Sequence, residues 1–326
     1  MRAPPARGPA AASLSLAAAL LAGLAGACAS RPPAEGPVAL ARFGPDRAAA
    51  PYAGPAQDAK AALLARINAD RAAAGVPAVE FDLVAAKAGD AFCLDAARTD
   101  VMGHWDLAGR APYDRFADAG GVDWSGENFG GVSRRGEAFR RDELVGLLLE
   151  AHGGMMAEKP PDDGHRKAIL DPLWTHVGIG VALEGGEFRM TEEFTRHAAV
   201  WVEAPAGRVR AGRTVPVNVQ LPKGWSLGAV EVAHEKFPQP LTAKEIKKRG
   251  SYAYPKGAQT LLPLLARGFQ YTNGTTGEVV VADGVARAKI ALLSGPGSYW
   301  VLVYAAPGSA EGKSLSPITA VRILAD

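Results

Sequence analysis

Asp163-Gly164-His165-Arg166-Lys167-Ala168-Ile169-Leu170-Asp171-Pro172 sets a histidine in the first turn of a short predicted helix that Asp171-Pro172 ends. The positive end of such a helix disfavours an imidazolium, which leaves a neutral ring able to ligate a metal. Upstream, Gly126-Glu127-Asn128-Phe129-Gly130-Gly131 holds a carboxylate in a Gly-rich setting where backbone can pass close to other groups. Read alone, Glu127 is a solvated loop acid. Met102-Gly103-His104-Trp105-Asp106-Leu107 adds a histidine at a helix-to-loop junction, where a side chain can face a cleft from a fixed backbone. Four of the six histidines fall between positions 104 and 176, beside Glu127, Glu158 and Asp163, so metal-ligand or acid/base chemistry is expected in this stretch.

The flanking segments have the rhythm of an α+β fold. Leu63, Leu64, Ile67 and Val76 recur at helical spacing after Asp58, a candidate cap, and Gly75-Val76-Pro77 closes that helix. Further helices are expected over residues 83–101 and 144–156. Strands are expected over 176–183 and 187–195, separated by Glu184-Gly185-Gly186. Helices first and strands later indicate layers rather than alternating βαβ units. Cys93 falls in the apolar rhythm of the second helix and reads as core.

In order and spacing these segments resemble the CAP superfamily of cysteine-rich secretory, antigen 5 and pathogenesis-related proteins, in its bacterial branch. The resemblance opens at Leu63-Leu64-Ala65-Arg66-Ile67-Asn68-Ala69-Asp70-Arg71 and continues through Gly75-Val76-Pro77, Gly103-His104-Trp105 and Gly126-Glu127-Asn128. It then takes in Gly164-His165-Arg166, Ile169-Leu170-Asp171-Pro172 and Val177-Gly178-Ile179-Gly180-Val181, and reaches Phe194. It implies an α-β-α sandwich over residues 58–203 whose cleft carries His104, Glu127 and His165. It also implies a second cleft glutamate ahead of the last histidine. Glu158 is the nearest match, with Glu150 and then Asp163 behind it. The disulfides of the animal and plant branches have no counterpart in the matching region, so the domain must hold by packing. His152, His176 and His197 read as structural or surface groups, His234 lies outside the domain, and Trp105, Trp124 and Trp174 line the cleft or fill the core.

Both ends carry further information. Arg2 and Arg7 precede an apolar run, Leu14 to Leu24, too short to span a bilayer, so residues 1–28 read as a secretory signal. Ala25-Gly26-Ala27-Cys28 suits a lipobox, with Cys28 the lipidated residue, or a plain Ala-x-Ala cleavage site. Residues 29–57, rich in Pro and Ala, read as a linker. Residues 204–326 carry strand-like runs at 214–221, 229–234, 277–282, 285–293 and 299–305. Turns at Asp283-Gly284 and Gly295-Pro296-Gly297-Ser298 join the last three into an expected meander. A small all-β, sandwich-like domain is the expectation.

The chain has 36 basic and 34 acidic side chains, and removing Arg2 and Arg7 with the signal leaves them in balance. That balance argues against nucleic acid as a partner and against membrane contact other than through an N-terminal lipid. Three functions fit: an exported envelope protein binding a glycan, a lipid or a protein; a metal-assisted hydrolase, of peptidase type, with Glu127 as general base; or a structural envelope module. In the first, His104 and His165 with one or both glutamates can hold Zn²⁺ or another divalent cation with an open position. The expected location is the cell envelope, lipid-anchored and facing the periplasm or the surface, with free secretion as the alternative.

Overall fold

The computed structural model describes residues 40–41, 56–205, 207–313 and 315–326. The signal segment, Cys28 and most of the 29–57 segment lie outside the described residues. In chain order the strands and α-helices begin β1 (Leu40–Ala41), α1 (Gln57–Ala73), β2 (Glu80–Phe81), α2 (Leu83–Thr99), α3 (Pro112–Asp118), β3 (Trp124–Ser133), α4 (Leu144–Met156), α5 (Gly164–Ile169), β4 (His176–Glu184) and β5 (Glu187–Arg196). Strands β2, β4, β5 and β3 form one sheet in that order. The β2–β4 pair is parallel, and β5 is antiparallel to both β4 and β3. Helix α2 covers one face, and α1, α4 and α5 cover the other with a core of Leu63, Ile67, Leu148, Met155, Ile169 and their sheet partners. This is the expected α-β-α sandwich.

Alternation along β4 explains how the two faces differ. Val177, Ile179 and Val181 point into the core under α1 and α4. Gly178 and Gly180 point the other way, where a Cβ on Gly178 would meet backbone of Ala85 and Ala86, and one on Gly180 would meet Gly89. The two glycines let α2 lie directly on the sheet. Asn68 and Arg71 secure α1 from the side. Asn68 exchanges hydrogen bonds with the Val79 backbone at 2.8 and 2.9 Å, and the buried Arg71 guanidinium donates to the carbonyls of Pro77, Ile169 and Asp171. Asp82 caps α2 by accepting from the amides of Val84 and Ala85. Asp58 does not cap α1. The cap position is Ala56, and Asp58 stands in the first turn, where its charge still suits the helix end.

The remaining elements are β6 (Val200–Pro205), β7 (Arg208–Val209), β8 (Thr214–Gln220), β9 (Trp225–Glu235), α6 (Ala243–Arg249), β10 (Gly257–Leu261), β11 (Val280–Ala282), β12 (Val285–Ala291), β13 (Gly297–Pro307) and β14 (Ser316–Ala325). They make two five-stranded sheets, β1-β6-β8-β12-β11 and β10-β9-β13-β14-β7. Val215, Val217, Val230, Val232, Val301 and Ile323 are among the side chains packed between them. The C-terminal region is therefore β-rich and built of two packed sheets, with one helix, α6, that the all-β expectation did not include. The meander is not formed. The β11–β12 hairpin turns at Asp283-Gly284, but β12 pairs with β8 while β13 crosses to the other sheet between β9 and β14. The Gly295–Ser298 turn changes sheets instead of returning to its own.

Introducing a methyl at Gly178 should therefore force α2 off the sheet. Gly178→Ala is expected to cost about 3 kcal/mol or more, at or above the usual range for overpacking a core. Gly146→Ala, on α4 with open space at its Cβ, should be neutral or stabilising by up to about 1 kcal/mol. Chemical denaturation of the two variants checks the difference.

Candidate functional site

An open cleft of about 1050 Å³ runs beside β3, the edge strand of the CAP-like sheet. His104, Glu127, Glu158 and His165 all line it, so the structure gathers the four side chains singled out in the sequence. Glu127 does not sit in a loop. It is inside β3, paired with β5, and its side chain is 2% exposed. The glycines around it hid a strand.

The four residues form two separate pairs. In the first, His104 Nδ1 lies 3.0 Å from Glu127 Oε1, and Glu127 Oε2 accepts from Arg115 Nη2 at 2.7 Å. Arg115, on α3, also donates to the carbonyls of His104 and Arg110, and its guanidinium lies 3.6 Å from the centre of the Phe92 ring. Both carboxylate oxygens of Glu127 are thus engaged. In the second pair, His165 Nδ1 lies 2.5 Å from Glu158 Oε1, while Glu158 Oε2 accepts the His165 amide at 3.0 Å. This pair is open to the cleft, with His165 36% and Glu158 24% exposed. Glu150 is exposed, and Asp163 is buried and paired with Lys167, so Glu158 is the carboxylate that meets the histidine.

A buried network beneath the cleft connects to the second pair. Asn128 Nδ2 donates to the His165 carbonyl at 3.3 Å and to Glu192 Oε2 at 3.1 Å. Glu192 Oε1 meets His152 Nδ1 at 2.6 Å, and His152 Nε2 meets Asp70 at 3.0 Å. Burial alone would lower the His152 pKa, but the bonds to Glu192 and Asp70 outweigh it and raise it. Sequence reasoning missed Glu192 and read His152 as a structural or surface group; it is fully buried. The available signal was Phe188, Met190, Glu192 and Phe194, which alternate along one face of the strand and place Glu192 among apolar neighbours. Glu193, on the other face, stands opposite Glu127 in the β3–β5 register and has one oxygen without a hydrogen-bond partner. Burial, then the nearby Glu127 charge, push its pKa up to about 8.

The other aromatic candidates divide between the two readings. Trp124 and Trp174 line the cleft, although Trp174 is largely buried and donates its Nε1–H to the Ala168 carbonyl. Trp105 packs beside Tyr252 and under Arg249. His176 and His197 stack at 3.8 Å, and His197 Nε2 reaches Asp82 at 2.9 Å, which ties them to the α2 cap. His234 packs on Tyr299 in the sandwich.

A metal would need donors that converge. The two histidines use Nδ1 on separate carboxylates, and among the described residues no group of three or more His, Cys, Asp or Glu side chains is placed to hold an ion. The residues present do not make the three-donor set that the sequence suggested. Among the described residues, no helix is long and apolar enough to cross a membrane.

Comparison with known proteins agrees on the first domain. Residues 64–199 match the model of the CAP, or cysteine-rich secretory protein, family, and this stretch is a CAP domain. Among solved structures, the chain is similar to an extracellular protein containing an SCP domain from Bacillus anthracis. That match has 20% identity, covers 44% of each chain and has a TM-score of 0.34. An outer surface protein from Borrelia burgdorferi matches at 13% identity over 42% of this chain and 92% of its own, with a TM-score of 0.34. A chitin binding domain from Burkholderia pseudomallei matches at 10% identity over 36% and 56%, with a TM-score of 0.22. The chain thus spans under half of the Bacillus protein. No curated protein matches it.

The environment of Glu193 makes a signed prediction. Its raised folded pKa means that the native state holds a proton the unfolded chain releases, so stability falls as pH rises from about 4.5 towards about 8. Glu193→Gln, which keeps the shape and cannot ionise, is expected to match the parent near pH 4.5 and to melt several degrees higher at pH 8.5. Thermal melts at both values check this, and equal melting temperatures at pH 8.5 would contradict it.

Proposed function

We propose that this is an exported, lipid-anchored envelope protein whose CAP cleft binds a neutral glycan. The observation that carries the reading is the chemistry of the cleft lining. Glu158, Asp162 and Glu231 outnumber the single lysine of the lining, Lys256, and aromatic rings of Trp124, Tyr252, Tyr254 and Tyr304 line the same space. Carboxylates accept hydrogen bonds from sugar hydroxyls, and aromatic rings present flat apolar surface to sugar C–H faces. An excess of carboxylate repels an anionic lipid headgroup. Export and anchoring rest on Arg2, Arg7, the apolar run from Leu14 to Leu24 and Cys28.

The hydrolytic alternative asks Glu127 to act as general base, and its two engaged oxygens and near-complete burial weigh against that role. What favours hydrolysis is the Glu158–His165 pair, where a carboxylate holds a ring that is open to the cleft. That pair would move the base to His165.

Calorimetric titration of the purified protein with a six-sugar β-linked N-acetylhexosamine oligosaccharide tests the reading, with anionic phospholipid vesicles and zinc as parallel titrants. Saturable glycan binding without release of new reducing ends is expected, weakened at least tenfold in Glu158→Gln. Capture of vesicles in place of the glycan would refute the ligand class. Cleavage of the glycan, lost in His165→Ala, would transfer the site to hydrolysis. One-to-one zinc binding lost in a His104→Ala/His165→Ala double variant would add a metal to it.

A further inference from the structure

One wall of the cleft is not part of the CAP domain. Between β9 and β10, residues 236–256 leave the sandwich and cross to the sheet that carries Glu127. The amide of Leu241 donates to the Leu107 carbonyl at 2.9 Å. Helix α6, capped by Thr242 with Glu245, drives Ile246 into a cluster with Phe92, Ala96, Val101 and Phe129 of the CAP domain. Gly103, just ahead of His104, has φ +150°, and a Cβ there would stand 2.9 Å from the Ile246 side chain. The segment is anchored at its other end by β10, hydrogen-bonded to β9.

What lies between these anchors is Gly250-Ser251-Tyr252-Ala253-Tyr254-Pro255-Lys256, all on the cleft. The Tyr252 hydroxyl accepts the Glu127 amide, and the Tyr254 hydroxyl accepts the Ser125 amide at 3.2 Å. The Tyr252 ring packs on His104 at 4.8 Å, and the Tyr254 ring stacks between Trp124 at 4.1 Å and Tyr113 at 4.6 Å. Burial raises the pKa of both phenols, so each remains a neutral hydroxyl. Strand β3 is a sheet edge, and its amides alternate between those bonded to β5 and those pointing outward. Ser125 and Glu127 carry outward amides. An exposed row of this kind is where an extended peptide adds a strand.

We propose that this arm of the sandwich is the specificity wall of the cleft. Its two tyrosine hydroxyls occupy the outward amides of Ser125 and Glu127, so a ligand is gripped by side chains from both domains and a peptide cannot pair with that stretch of the edge. The functional unit is then the two domains together, with Tyr252 and Tyr254 as positioning residues. Selection of the ligand rests on the binding reading above, whereas occupation of the amides does not.

Residue-resolved amide exchange on the purified protein, compared with Tyr252→Phe and Tyr254→Phe, tests it. Each variant keeps its ring and loses only the acceptor. The Glu127 amide should exchange at least tenfold faster in Tyr252→Phe and the Ser125 amide at least tenfold faster in Tyr254→Phe, with Asn128, bonded to β5, unchanged in both. Unchanged exchange at Ser125 and Glu127 would overturn the proposal, as would uniform acceleration along β3, which would mark general loosening. Glycan titration of the same variants should show at least threefold weaker binding. Parent-like affinity beside accelerated exchange would overturn the specificity role. Absence of glycan binding in the parent would defeat the binding reading, and exchange alone would then decide whether the arm caps β3.

Discussion

Much of the cleft depends on one buried ion pair, Arg115 with Glu127. The two side chains are 6% and 2% exposed, so each has given up its water and needs the other, with hydrogen bonds to spare. Arg115 uses its remaining donors on the carbonyls of His104 and Arg110, and its flat face rests on Phe92. A single guanidinium therefore joins α3, the 101–111 loop, α2 and β3. Glu127 in turn fixes the His104 ring. Without the pair, the wall that bears His104 would lose its direct tie to β3 and keep only its contacts with the sandwich arm.

The cleft is asymmetric as a result. Its inner histidine belongs to a locked, buried assembly, and its outer one, His165, shares a short bond with Glu158 near solvent. Asn128 links the outer pair to Glu192 and His152 beneath, so the motif Gly126-Glu127-Asn128 serves both pairs from adjacent positions on opposite faces of one strand. The sandwich then completes the opening with tyrosines, Glu231 and Lys256. Glu127 itself has both oxygens committed within the protein, to His104 and to Arg115.

The parts legible in the sequence were those written in local pattern. Helix α4 and strands β4 and β5 follow from apolar periodicity, and the paired glycines of β4 from the closeness of α2. His104, Glu127, Glu158 and His165 were found because order and spacing survive folding. What stayed hidden depends on distant partners. Strand β3 reads as a loop because its glycines are explained only by neighbours such as Trp174 and Met155 that press on them. The assignment of β13 to the far sheet is a long-range choice that a Gly-Pro-Gly turn leaves open, whereas β14 was missed although its Ile, Thr and Val residues favour a strand. Tyr252 and Tyr254 are ordinary residues in a loop until the two domains are brought together.

A double-mutant cycle at the central pair tests this account most directly, with Arg115→Met, Glu127→Gln and the double variant compared by chemical denaturation. The account predicts that each single change costs about 3 kcal/mol or more, as expected when one partner of a buried ion pair is removed. It also predicts that the double change costs less than the sum by well over 1 kcal/mol. Strictly additive costs, or a Glu127→Gln variant as stable as the parent, would contradict it and return Glu127 to the role of a free base.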